Sequence, residues 1–311
     1  MIPINRIIKA IDCLMVKELM EGVVMHFVNV KGILSQTNGM NIYRGCTHGC
    51  IYCDSRSKCY QFTHEFEDIE VKQNAPILLE KALRSKRKKC MIGTGAMSDP
   101  YMHCEEKLGL TRKCLEIIDK YEFGVAVQTK SDRILRDLDL LKSINEKAKC
   151  VVSMTLTTYD EKLCKILEPN VCTTKRRFET LMKLHENGIP TIVWLSPILP
   201  FINDTKENIE GILEYCIRAK VHGIICFDMG VTLREGDREY FYEALDKYFP
   251  GMRRKYHERY GNAYEVPSEN NKELMELLHN KCKENGIESS IDKCFKFMGE
   301  FPEKYEQLSL F

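Results

Sequence analysis

Three cysteines crowd into the run Gly45-Cys46-Thr47-His48-Gly49-Cys50-Ile51-Tyr52-Cys53, spaced C-x3-C-x2-C. A structural zinc site takes four ligands, usually in C-x2-C pairs. No second such pair occurs in the 311 residues, so zinc here requires a distant fourth ligand. Soft thiolates also select iron–sulfur clusters, and a four-iron cluster on three cysteines keeps one iron without a protein ligand. That iron is open to a small molecule.

The run resembles the signature of the radical S-adenosylmethionine superfamily. The resemblance implies that Cys46, Cys50 and Cys53 ligate a [4Fe-4S] cluster whose open iron takes the amino and carboxylate groups of S-adenosylmethionine. It further implies that an electron, delivered by a donor such as flavodoxin or ferredoxin, cleaves the cofactor to a 5′-deoxyadenosyl radical. A narrower resemblance spans about residues 30 to 230. Gly93-Thr94-Gly95-Ala96-Met97-Ser98-Asp99-Pro100-Tyr101, Gln128-Thr129-Lys130-Ser131-Asp132 and Ile166-Leu167-Glu168-Pro169 look like the spore photoproduct lyase, or DNA repair photolyase-like, family.

From that family, Tyr52 is expected to lie against the cofactor's adenine. Ser98, Asp99 and Lys130 are expected around its methionine moiety and ribose, and Ser153 near the ribose. A hydroxyl, a carboxylate and an ammonium suit a zwitterionic ligand, because buried charges must be paired. Two positions depart from the lyase. Asp54 follows Cys53 where tyrosine is frequent, and Ala96 aligns with the lyase's hydrogen-donating cysteine. Alanine cannot donate a hydrogen atom to a substrate radical, so different chemistry or another donor is expected. Tyr52, Asp54 and Tyr101 are the catalytic candidates, with Tyr43, Cys59 and Cys104 as further alternatives for the donor.

The elements that must position these residues alternate regularly from residue 39. Short β-rich runs at 40–44, 90–94, 123–128, 151–156, 191–195 and 223–228 alternate with amphipathic helical patterns at 75–84, 105–121, 132–145, 175–187 and 205–219. Gly188 marks one helix end, and Asp204 or Thr205 the start of the next. Six strands with helical crossovers imply a parallel sheet, so the expected fold is a partial (β/α)6 TIM-like barrel with its chemistry at the strands' C-terminal ends. The reading divides the chain into an N-terminal extension (1–38), the barrel (39–230), a helical region (231–304, with helices near 237–249, 252–260 and 270–285) and a tail (305–311).

Composition narrows the partners. With 46 basic and 45 acidic residues, any nucleic-acid contact must be a local patch. Charges at Arg6, Lys9, Asp12, Lys17 and Glu18 break the first apolar stretch, and no run is long enough to span a bilayer, so a cytoplasmic location without membrane contact is expected. The fifteen scattered cysteines fit a reducing compartment. Arg84 to Lys89 reads as a solvated helix end; Lys175-Arg176-Arg177 and Arg253-Arg254-Lys255, the latter with Tyr256, His257 and Tyr260, are the better DNA candidates. Gln307, Leu308, Leu310 and Phe311 resemble the short peptide that docks bacterial DNA enzymes onto the sliding clamp. The expected activity is lyase-like repair acting on DNA or a nucleotide component. The alternatives are a radical enzyme acting on a peptide or small metabolite, and a non-enzymatic iron–sulfur or zinc protein recruited to the clamp.

Overall fold

Hydrophobic runs buried on both faces dictate where the strands lie, and the computed structural model, which describes residues 24–302, places six of them in one parallel sheet. In chain order the strands are β1 (Met25–Val28), β2 (Gly39–Met40), β3 (Tyr43–Arg44), β4 (Ile69–Lys72), β5 (Met91–Thr94), β6 (Gly124–Thr129), β7 (Cys150–Thr155), β8 (Thr191–Trp194), β9 (Gly223–Ile225), β10 (Gly230–Thr232) and β11 (Glu265–Pro267). The helices are α1 (Ala75–Ser85), α2 (Glu105–Leu108), α3 (Leu110–Lys120), α4 (Leu138–Lys147), α5 (Glu161–Leu167), α6 (Thr174–Glu186), α7 (Lys206–Arg218), α8 (Asp237–Tyr248), α9 (Met252–Tyr260), α10 (Asn271–Glu284) and α11 (Ile291–Gly299). The sheet order β2-β5-β6-β7-β8-β9 follows the sequence without reversal, and every pairing is parallel. An α/β sheet wound in one direction is the expected partial barrel.

Three expectations need correction in detail. The run 40–44 is two strands: β2 joins the barrel, whereas β3 pairs antiparallel with β4, whose other neighbour is β1. The chain thus leaves the barrel sheet just before the cysteines. The helical pattern 105–121 breaks at Gly109, which takes φ +61, and 132–145 opens with a 3-10 turn over Asp132–Asp137. Thr205 caps α7 by accepting from the Asn208 amide, and Gly188 ends α6 at φ +72.

Alternation along the strands sends Ile92, Val125, Val127, Val152, Met154, Val193 and Ile224 into one core with the surrounding helices. Met91, Val151, Ile192 and Ile225 form a second, inner cluster with Cys294 of α11. An incomplete barrel leaves its concave face uncovered, and α11, absent from the sequence reading, covers it. Cys294 is fully buried there, and Phe297 stacks on His222 with ring centres 3.6 Å apart. The approach to α11 is also tied to the sheet edge, where the Ile224 amide donates to the Glu288 carbonyl at 2.8 Å. A third cluster joins Cys50, Ile51 and Tyr52 to Val231, Phe241, Leu245 and Tyr256, so packing continues across residue 230.

The basic segment at residues 253–260 is only partly on the surface. Tyr256 is fully buried with its hydroxyl donating to the Pro200 carbonyl, so it presents no ring for stacking, and Arg253 and Arg254 pair with Asp246 and Glu258. Among the described residues no helix is long and apolar enough to cross a membrane.

Close packing at the sheet edge gives a direct test. A Cβ on Gly223 would lie 2.6 Å from the Cys294 sulfur and 2.9 Å from the Glu288 carbonyl, while one on Gly93 meets nothing within 4 Å. Gly223→Ala should therefore cost about 1–3 kcal/mol in urea unfolding. Gly93→Ala should stay within about 0.5 kcal/mol of the parent.

Candidate active site

The cysteine loop is held from outside, chiefly through its backbone. Gly45 adopts φ +92, and a Cβ there would lie 2.4 Å from the Phe66 carbonyl, the group that accepts the Cys46 amide at 3.1 Å. On the other side, the Ile51 amide donates to Leu167 O at 3.0 Å and the Asn170 amide to His48 O at 3.1 Å. The Asn170 side chain donates to Thr47 O at 3.0 Å. The Ile166-Leu167-Glu168-Pro169 stretch is thus the scaffold of the metal-ligand loop. Cys46, Cys50 and Cys53 then open together on a cavity of about 610 Å³ at the C-terminal ends of the strands.

Burial governs the thiols. It pushes the Cys46 pKa up to about 12, Cys50 well above its ordinary value, and Cys53 upward. These groups become metal ligands by losing their protons to the binding reaction.

Tyr52 anchors the loop to the barrel. Its phenol donates to Glu168, which is buried against Arg177. Arg177 is itself fully buried and donates to Thr155 O at 3.0 Å and Cys172 O at 2.7 Å. Burial would raise the Glu168 pKa; the positive charges of Arg177 and Lys130 outweigh it and hold the carboxyl below the ordinary range. Lys130 reaches the cavity with its ammonium 5.8 Å from the Tyr52 ring centre. Burial opposes its charge, but Cys50 and Glu168 more than compensate, so its pKa rises. Arg177 was expected in a DNA patch and is instead an internal strut, while Arg176 pairs with Asp132 at 2.8 Å. The sequence marks Glu168 only as part of a family motif and Arg177 only as part of a basic run, and neither signal pairs the two.

Asp99 fastens the ends of two neighbouring strands. It accepts from the Tyr101 amide (2.9 Å), the Thr129 hydroxyl (2.7 Å) and the Lys130 amide (2.7 Å), while His48 Nδ1 stands 3.6 Å away. Burial drives the His48 pKa down to about 4, against the pull of Asp99. Gly95, at φ +99, lets this turn pass the next strand, for a Cβ there would sit 1.9 Å from Gln128 O. Ser98 also lines the cavity, and its buried hydroxyl has no partner among the described residues, nor does His48 Nε2. Asp54 lies on the rim, accepting from the Tyr60 phenol at 2.8 Å with Arg234 at 3.4 Å.

Several expected residues are elsewhere. Tyr101 is fully buried beside Asp137 and the Arg136 guanidinium, outside the cavity lining. Tyr43 donates to buried Glu105, and Cys104 is buried; neither reaches the cavity. Cys59 is exposed but holds the Arg234 side chain at 3.3 Å. Ser153 is buried below the lining, and Thr155, two residues further on the same strand face, takes its place. Tyr60, Trp194 and Phe227 line the cavity without having been singled out in the sequence. Gln307 to Phe311 lie outside the described residues.

The family model described as Radical SAM superfamily matches residues 40–216, the segment that carries the three cysteines and all but the last barrel strand. The chain belongs to the radical SAM superfamily. An uncharacterized protein of Methanocaldococcus jannaschii is 34% identical over 169 residues, covering 54% of this chain and 62% of that relative. An uncharacterized protein of Mycobacterium tuberculosis is 25% identical over 280 residues, covering 83% and 80%. Among solved structures, spore photoproduct lyase complexed with dinucleoside spore photoproduct superposes with TM-score 0.60 at 14% identity, over 84% of this chain and 79% of that one. A variant of the same lyase with bound AdoMet gives 0.59 at 13%. At such identities the likeness concerns the fold.

Radical SAM proteins use a [4Fe-4S] cluster and S-adenosylmethionine, and this cavity fits both. Three soft donors face one space, and the buried Ser98 hydroxyl and His48 Nε2 await polar partners beside Lys130. Cys46, Cys50 and Cys53 would hold the cluster, and Tyr52, Ser98 and Lys130 would border the cofactor. Together the bound groups supply one-electron cleavage of the sulfonium.

The strut is testable without the cluster. Arg177→Met removes the guanidinium paired with buried Glu168, leaving only the more distant Lys130 charge, and should cost about 3–5 kcal/mol in denaturant unfolding. Arg176→Met, which removes an exposed pair, should cost less than about 1 kcal/mol.

Proposed function

We propose that this radical SAM enzyme acts on DNA or a nucleotide component. The observation that carries the reading is the far wall of the cavity, where Trp194 and the half-exposed Phe227 face the same space as the cysteines, with ring centres 5.6 Å apart. Flat apolar rings beside a reactive centre suit a stacked base. The fold likeness to a lyase complexed with a dinucleoside photoproduct supports the same substrate class.

The reaction differs from that lyase in its hydrogen return. Ala96 presents a methyl group to the cavity, so the hydrogen comes from another source. Electrons come from a small carrier such as flavodoxin or ferredoxin. The Gln307 to Phe311 peptide recruits the enzyme to the sliding clamp, and its deletion should abolish clamp pull-down while leaving iron content unchanged.

Cluster-loaded protein, reduced anaerobically with dithionite, should form 5′-deoxyadenosine from S-adenosylmethionine faster when ultraviolet-damaged or intact oligonucleotides are added. With deuterated cofactor, label should exchange with the substrate. Phe227→Ala should weaken oligonucleotide binding roughly 5- to 100-fold, as expected for one lost stacking contact, with iron retained. A rate and an affinity indifferent to nucleic acid would refute this substrate class.

A further inference from the structure

Away from the cavity, His26 on β1, His64 in the loop before β4, and Asp68 at the entry to β4 converge, one ligand atom from each lying within 4.8 Å of the others. His26 Nδ1 is 2.9 Å from Asp68 Oδ1, and the two imidazole rings meet edge to face with centres 4.8 Å apart. A hydrogen bond accounts for His26 and Asp68. It does not account for His64, whose Nε2 is buried and has no partner among the described residues.

The other ring nitrogen explains what that atom is prepared for. His64 Nδ1 is 2.9 Å from the Glu65 carbonyl, which can only accept, so Nδ1 carries the proton and Nε2 presents its lone pair. A backbone carbonyl fixing the tautomer of a histidine is the arrangement found around metal-bound imidazoles. Two imidazoles and one carboxylate are a borderline donor set that suits zinc and leaves its fourth position to water. Tetrahedral zinc at about 2.0–2.1 Å places its ligand atoms about 3.4 Å apart, so only small side-chain shifts are needed. Asp68 is 26% exposed and His26 38%, which keeps a water position accessible.

We infer that His26, His64 and Asp68 form a second metal site, of the zinc class, that staples the loop between residues 61 and 68 to the β1–β4 sheet. The loop is worth stapling. Its Phe66 carbonyl holds the Cys46 amide, and its Phe66 ring packs under Arg56, 4.4 Å away, just beyond the cysteines. The site therefore secures the back of the cluster loop without touching a sulfur.

The test uses cluster-loaded, desalted protein equilibrated anaerobically with micromolar free zinc, with zinc and iron counted together by elemental analysis. About one zinc per chain should bind beyond about four irons. His26→Gln, His64→Gln and Asp68→Asn keep the size of these partly exposed side chains, and iron retention in each shows that the fold and cluster persist. Each should weaken zinc binding by more than about tenfold, the loss that even an outer-shell partner causes. Zinc should also slow proteolysis within residues 61–68 of the parent but not of the variants. No zinc beyond the iron, or equal binding by the parent and all three variants, overturns the site.

Discussion

A carboxylate and a guanidinium, both withdrawn from water, hold the functional end of this molecule in register. Glu168 and Arg177 repay their desolvation only because each has further partners: the Tyr52 phenol on one side, and the carbonyls of Thr155 and Cys172 on the other. Through these contacts the end of a central strand is linked to the residue preceding the last cluster cysteine. Backbone hydrogen bonds at Leu167 and Asn170 make the link continuous. The cysteine loop is short and irregular, and its shape is imposed by its neighbours.

The same division of labour recurs along the strand ends. Asp99 joins two strands through three accepted hydrogen bonds, and Gly95 lets the turn pass close to Gln128. Ser98 and Lys130, their sequence neighbours, are thereby free to face the cavity. Positioning residues and cavity-facing residues sit side by side within each motif, so the motifs combine polar and glycine residues that no secondary-structure pattern requires.

The winding of the barrel and the cysteine triad were readable in the sequence because both are local: short β-rich runs between amphipathic helical patterns mark strands, and thiol spacing marks a ligand set. What lay hidden depends on contacts distant in sequence. The Lys175-Arg176-Arg177 segment looks like surface charge until α6 turns Arg177 inward onto Glu168. Tyr101 looks well placed after its strand, yet Asp99 captures its amide and the ring turns into the core. Helix α11 has an apolar stripe that gives no sign of its destination, the inside of an unfinished barrel. The inward-facing strand residues likewise could not reveal what would cover them.

The grip on the cysteine loop has one more implication. The backbone hydrogen bonds that tie it to its neighbours run between Cys46, His48 and Ile51 on one side and Phe66, Leu167 and Asn170 on the other. Those ties do not need a metal to form, so the socket is shaped before any cluster is built into it and the polypeptide would not have to refold to receive one.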